Sequence, residues 1–128
     1  MERQRVYSGA PWEQKAGYCR ALQAGDHIHV SGTVPVGSDG KPHALDDAYG
    51  QAKRCLEIIE SAISELGASR EHIVRTRMFV TDISRWEEHC RAHAEFFGEH
   101  RPATTMVEVR KLIQDEFLIE IEAYAYVG

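Results

Sequence analysis

Residues 101–128, RPATTMVEVRKLIQDEFLIEIEAYAYVG, decide the fold. They contain two candidate β-strands, RPATTMVEV and LIEIEAYAYV, separated by RKLIQDEF. Pro102 has a fixed φ and no backbone N–H, so we expect the first strand to begin just after it, with the proline at a sheet edge or at a strand start. In the second strand apolar residues alternate with Glu120, Glu122 and two tyrosines, the pattern of a strand with one buried face. The sequence therefore places Glu120 on the polar face of a C-terminal strand.

The rest of the chain supplies four more candidate strands and two loops. Strands are predicted at residues 4–7, 18–22, 27–33 and 73–81, where apolar and polar residues alternate. Ala24, Gly25 and Asp26 form a tight hairpin connection between the second and third of these. Residues 9–17 and 35–42 are rich in glycine and proline, and we expect both to be loops.

Two helices are predicted from apolar residues at three- and four-residue spacings. The first runs from about Leu45 to Leu66, with Asp46 and Asp47 favouring its first turn and Gly67 ending it. The second begins at a capping box, SRWE at residues 84–87, and ends at Gly98. Its apolar stripe is predicted to be Trp86, Cys90, Ala94 and Phe97.

Length and composition set the class of protein. The 128 residues fit a single domain, 1–128, and the formal net charge is −5, with lysine and arginine scattered singly. Nucleic-acid binders cluster these residues, so we expect no nucleic-acid partner. No apolar run is long enough to span a bilayer, which predicts a cytoplasmic protein without a membrane partner. Cys19, Cys55 and Cys90 are widely spaced and are interpreted as reduced thiols.

The predicted element order gives an α+β architecture. Two helices that lie on one face of a mixed sheet leave the other face uncovered. A face of this kind requires a cover, and a second copy of the chain is a reasonable one.

Five blocks of sequence, in this order, resemble the Rid (reactive-intermediate deaminase, YjgF-like) family: GYCRAL, DHIHVSGTVPV, MFVTDI, PATTMVEV and IEIEAYA. The resemblance extends from about Gly17 to the end of the chain. It implies a chorismate-mutase-like fold, a homotrimer, clefts for a small-molecule ligand between subunits, and hydrolytic deamination of imines without a cofactor.

The same resemblance implies roles for individual residues. The family's water-positioning glutamate corresponds to Glu120, and its pocket tyrosine corresponds to Tyr18. Its substrate-binding arginine corresponds to Thr104, whose single neutral hydroxyl holds a carboxylate less tightly than two charge-assisted bonds, and one such bond alone is worth about 1.5–3 kcal/mol. The chain is therefore expected to be an inefficient 2-imino-acid deaminase. Thr104 and Thr105 are candidate hydrogen-bond donors to substrate.

The strand start supplies the remaining candidate binding residues, Met106 and Arg101. Arg101 is one candidate for the missing arginine, and Arg75 or Arg77 could enter from a neighbouring strand or subunit. Arg110 lies about 20 Å along the strand from Thr104, too far to replace it.

Histidine pairs were tested as metal ligands. His89 and His93 are one helical turn apart, and His27 and His29 share a strand face, but neither pair has a visible third ligand. We therefore predict no metal site.

Two classes of function remain open. In the first, Glu120 activates water to attack the sp² carbon of a small imine or enamine, with Thr104 as a second catalytic residue. In the second, the trimer is a non-catalytic module that binds a metabolite or a protein. Ribonuclease activity is disfavoured by the acidic composition and by the absence of an aromatic-basic groove pattern.

Overall fold

The computed structural model describes residues 2–128. Within that range six strands form one sheet: Arg3–Val6 (β1), Ala21–Ala24 (β2), His27–Thr33 (β3), Ile73–Val80 (β4), Ala103–Glu108 (β5) and Ile119–Tyr126 (β6). The same range contains three α-helices: Pro11–Ala16 (α1), Ala48–Ser64 (α2) and Trp86–Phe97 (α3). Short 3₁₀ turns occupy Arg70–His72 and Ile83–Arg85. No helix in residues 2–128 is long and apolar enough to cross a membrane.

The sheet is mixed, with strand order β1-β2-β3-β6-β4-β5. Strands β4 and β5 are parallel, because helix α3 connects them as a crossover, and the other neighbouring pairs are antiparallel. Strand β5 begins directly after Pro102 and lies at the edge of the sheet. Both expectations from Pro102 are confirmed.

The hydrophobic core lies between the sheet and the two long helices. Ile119, Ile121, Ala123 and Ala125 of β6 are buried in it, while Glu120, Glu122 and Tyr124 point to the opposite face. The predicted α+β fold is confirmed, with α2 and α3 packed against each other over one side of the sheet.

The prediction of a loop at residues 9–17 was wrong, because this segment contains helix α1. Pro11 occupies the first turn, where its missing N–H costs nothing, and Gly17 ends the helix in the left-handed conformation, with φ of 76°. The predicted start of the next strand at Tyr18 was also too early. The N–H groups of Gly17 and Tyr18 both donate to the Glu13 carbonyl oxygen, so the chain is still leaving the helix.

Helix α2 is shorter than the interval predicted for it. It begins at Ala48 because Asp47 is the N-cap residue, whose carboxylate accepts a hydrogen bond from the Gly50 N–H at 2.9 Å. The predicted buried stripe is present through Ile63, and Gly67 follows in the left-handed conformation with φ of 78°.

The predicted cap of the second helix was wrong, and its predicted apolar face was right only at Phe97. Ser84 lies in a 3₁₀ turn, where its N–H and hydroxyl both donate to Asp82, so it is not the cap of α3. Trp86 is 51% exposed, and the buried face consists of His89, Ala92, His93 and Phe97. Buried Thr76 on β4 forms a 2.8 Å hydrogen bond with His93 Nε2. That bond compensates the burial of a polar ring on this face.

Candidate functional site

A cleft of about 450 Å³ opens at one end of the sheet. Its walls come from α1, from the segment leading into β2, from β3, and from the loop before β6. Its lining includes Lys15, Tyr18, Arg20, Gly32, Lys111 and Glu120. We call this the Glu120 cleft.

The Glu120 side chain extends into the cleft across Gly32, where the absence of a side chain leaves room for it. The β3–β6 register shifts between Val30 and Thr33, and Gly32 lies in this irregularity. A Cβ atom on residue 32 would lie 2.4 Å from Glu120 Oε2, a distance that real Cβ contacts do not reach. Glycine at position 32 therefore makes room for the carboxylate against the strand backbone.

The surroundings of the Glu120 carboxyl shift its pKa. Burial raises its pKa above the ordinary glutamate value, Arg20 partly opposes that shift, and Glu122 adds to it. Within residues 2–128 the Glu120 carboxylate accepts no protein hydrogen bond, although it is only partly exposed. A carboxylate whose pKa is raised is a stronger base than an exposed carboxylate, so it accepts a proton from water more readily.

Arg20 is the residue in this cleft that sequence reasoning did not select. It is 5% exposed, and its Nη2 donates to the Gly32 carbonyl oxygen at 2.7 Å. Its Nε is buried and has no acceptor among the described residues. Arg20 belongs to the GYCRAL block, two residues after Tyr18. The chain before β2 is irregular, so the alternation of a strand could not be used to infer which way the Arg20 side chain points.

Tyr18 lies in the cleft as well. Its ring centroid is 5.6 Å from the Arg20 guanidinium carbon, within the range of a cation–π contact. Tyr18, Arg20 and Glu120 thus share one cleft within a single chain.

The β5 candidates lie elsewhere. Thr104 accepts a hydrogen bond from Thr76 at 2.7 Å on the helix side of the sheet, and Met106 packs against the core on that side. Thr105 accepts a hydrogen bond from Arg75 at 2.6 Å. The alternation of side chains along a strand sends Thr104 and Thr105 to opposite faces.

Neither threonine reaches Glu120 within one chain. In the sheet register Thr105 is opposite Arg77, and Arg77 is opposite Glu122, so Glu120 lies two strands and two residues away from Thr105. That offset corresponds to about 12 Å. The single chain therefore places the two catalytic candidates, Glu120 and Thr104, apart from one another.

The arginines proposed as substitutes do not line the Glu120 cleft. Arg101 is exposed ahead of β5, and Arg75 is bonded to Thr105. Arg77 pairs with Glu122 at 3.2 Å.

The histidine pairs have other surroundings. His89 is 1% and His93 is 9% exposed, and both pack between α3 and its neighbours. The ring of His27 contacts Tyr124 and Tyr126. Within residues 2–128 no group of three or more His, Cys, Asp or Glu side chains is arranged to hold a metal ion.

A mixed sheet with two long helices on one face is the α+β architecture of the YjgF-type proteins. The chain belongs to the Endoribonuclease L-PSP family, which matches residues 9–127. The resemblance to the Rid and YjgF-like proteins is thereby confirmed.

Three similar proteins illustrate the range of the family. The crystal structure of Rv2704 from Mycobacterium tuberculosis, of the YjgF/YER057c/UK114 family, is 44% identical with a TM-score of 0.90, and the match covers 98% of this chain and 100% of that one. SCO2049 from Streptomyces coelicolor, named an uncharacterized protein, is 36% identical over 97% of this chain and 92% of its own. The 3-aminoacrylate deaminase RutC from Acinetobacter baylyi is 31% identical over 88% of each chain.

Proposed function

We propose that the Glu120 cleft binds a small metabolite with an imine or enamine carbon, and that Glu120 activates water to hydrolyse it. The observation that carries this proposal is the Glu120 carboxyl itself. It is partly buried, free of protein hydrogen bonds within residues 2–128, and has a pKa raised by burial. The name of the RutC relative supports the substrate class, because 3-aminoacrylate is an enamine.

The reaction of an imine balances with one carboxylate as its proton carrier, and an enamine enters the same sequence after a proton has moved from its nitrogen to its β-carbon, which gives the imine. Glu120 accepts a proton from water while the water oxygen bonds to the imine carbon, and the C=N π electrons move to nitrogen. The protonated Glu120 returns this proton to nitrogen, giving a carbinolamine. Glu120 then moves the hydroxyl proton to nitrogen as the C–N bond breaks. The products are ammonia and a carbonyl compound.

The proposal includes a homotrimer in which a neighbouring copy completes each cleft. Thr104, Thr105 and Met106 lie on β5, whose outer edge has no partner strand among residues 2–128. An edge strand can contact another subunit without rearrangement of the sheet. Sedimentation should give three times the 14.5 kDa mass of one chain, and a monomer would contradict this part of the proposal.

Ammonia release tests the hydrolysis. The substrates are freshly generated 2-iminobutanoate and 2-iminopropanoate, each compared with its spontaneous hydrolysis in buffer. The wild type should accelerate release, and Glu120→Gln should lose about 10²-fold or more of the acceleration.

A matched control shows whether activity is lost because the catalytic base is removed or only because a negative charge is removed from β6. Glu122 is the next glutamate on the same face of β6 and pairs with Arg77 outside the cleft, so Glu122→Gln should remain active. Equal activity of Glu120→Gln and wild type would refute Glu120 as the base. A wild type no faster than buffer would refute hydrolysis of these substrates.

A second candidate is a non-catalytic module that binds a metabolite or a protein. It is favoured by the separation of Glu120 from the threonine pair within one chain. Ligand binding without ammonia release from any imine would support this candidate.

A further inference from the structure

Arg20 is a buried cation with few partners. It is 5% exposed, and the one hydrogen bond that its side chain makes among residues 2–128 goes to the Gly32 carbonyl oxygen. Its Nε is enclosed without an acceptor. A guanidinium offers five N–H donors, and a buried charge is costly unless it is paired and hydrogen-bonded. The protein alone leaves most of this requirement unmet.

The Glu120 carboxylate lines the same cleft but does not form an ion pair with Arg20. Arg20 Nη2 is bonded to Gly32, and Glu120 Oε2 lies against the Cα side of the same glycine. Even so, no Arg20–Glu120 ion pair forms within 4.0 Å in the described part of the chain. Two opposite charges thus flank one residue and line one cleft without meeting, which leaves space for a ligand between them.

The wall of the cleft favours an anion. Lys15 and Lys111 also line it, so three cations face the single carboxylate of Glu120. Both lysines are exposed, where they can attract an anion toward the more buried Arg20.

We propose that Arg20 binds the carboxylate of the substrate in the Glu120 cleft. This inference rests on the proposed function and narrows it to small carboxylic acids with an imine or enamine carbon near the carboxylate. A guanidinium forms charge-assisted hydrogen bonds to a carboxylate, which would provide acceptors for the Arg20 Nη N–H groups that Gly32 leaves free and would offset the cost of the buried charge. The adjacent sp² carbon would then face the water held by Glu120. Arg20 takes over the carboxylate-binding role that Thr104 cannot perform.

Equilibrium binding tests the inference without any turnover. The probes are 2-oxobutanoate, its uncharged methyl ester, and inorganic phosphate, each titrated into the full-length protein and followed by protein NMR. The wild type should bind 2-oxobutanoate at least about tenfold more tightly than the ester, as one charge-assisted bond predicts. Phosphate bound as tightly as 2-oxobutanoate would overturn the assignment to carboxylates.

The variants separate Arg20 from arginine in general. Arg20→Gln should lose the preference for the acid over the ester, and Arg20→Lys should keep only part of it, because an ammonium lacks the planar fork. Arg54 is the matched control, since its side chain also donates to a backbone carbonyl, from Nε to that of Val36 at 2.7 Å, but it lies outside the cleft. Arg54→Gln should retain the full preference. An unchanged preference in folded Arg20→Gln or Arg20→Lys would refute the inference.

The outcomes also separate this inference from the proposed hydrolysis. Acid binding that depends on Arg20, together with no ammonia release, would refute hydrolysis and leave the Arg20 assignment standing. Ammonia release from imino acids with the same KM in Arg20→Gln as in wild type would refute the Arg20 assignment and leave hydrolysis standing. Circular dichroism spectra and melting curves identify which variants fold, and Arg20→Lys carries the test if Arg20→Gln does not.

Discussion

Gly32→Ala should move the Glu120 carboxylate while leaving the fold in place. The new Cβ would lie 2.4 Å from Glu120 Oε2, whereas ordinary contact begins at 3.4 Å, so the carboxylate must move by about 1 Å. The displaced atom is the end of a flexible side chain, and Gly32 does not have the positive φ that alanine would resist. We therefore expect stability to change by less than about 1 kcal/mol.

The cost should appear in catalysis instead. A misplacement of about 1 Å in an active site can lower the rate about 10²-fold, which corresponds to about 2.7 kcal/mol in the barrier. The assay is ammonia release from imino acids, with melting curves recorded in parallel. Gly37→Ala is the control, since Gly37 also lacks a positive φ and lies outside the cleft. Full activity in folded Gly32→Ala would refute the claim that Glu120 acts from its observed position.

Two further predictions concern stability. The pKa of Glu120 is raised in the folded protein, so the folded state binds this proton more tightly than the unfolded chain does. The protonated carboxyl therefore stabilises the fold at low pH. This contribution to the free energy of unfolding is lost as the pH rises from the ordinary carboxyl pKa through the raised one. Glu120→Gln should therefore raise the melting temperature relative to wild type at pH 8 but not at pH 4, and an equal effect at both pH values would contradict this reasoning. Thr76→Val should cost about 1–3 kcal/mol in urea unfolding, because burial lowers the His93 pKa to about 4 and the neutral ring then loses its Thr76 partner. Thr104→Val is exposed and should cost less than about 0.5 kcal/mol, and equal losses in the two variants would show that the buried hydrogen bond is not responsible.

The sheet was predictable where one strong pattern governed a long segment. Strand β6 has strict alternation, and Pro102 marks the start of an edge strand, so both were located from sequence. The face of α3 was not, because Trp86 is more apolar than His89 or His93 yet is the exposed residue. The hydrogen bond between Thr76 and His93 compensates ring burial, and such a tertiary contact leaves no periodic pattern in the sequence.

The site was predictable only in part for a related reason. Glu120 and Tyr18 were found through resemblance, and the structure places both in one cleft. Thr104 and Thr105 were expected to act together, although strand parity alone sends neighbouring residues to opposite faces. Arg20 was missed because its segment, between the end of α1 and the start of β2, follows no repeating geometry.

The location of Thr104 allows its side chain to change with little effect on folding. Thr104 is exposed on an edge strand, while the core beneath it is supplied by β4, β6 and the helices. A residue there can be exchanged for one of different charge at little cost in stability, so evolution or an engineer can alter the chemistry presented at that edge one substitution at a time. Arg20 and Glu120 differ in this respect, because each lies against Gly32, where a replacement must fit beside the strand backbone. The scaffold thus combines an open edge position with a cleft whose two charged residues share one small neighbour.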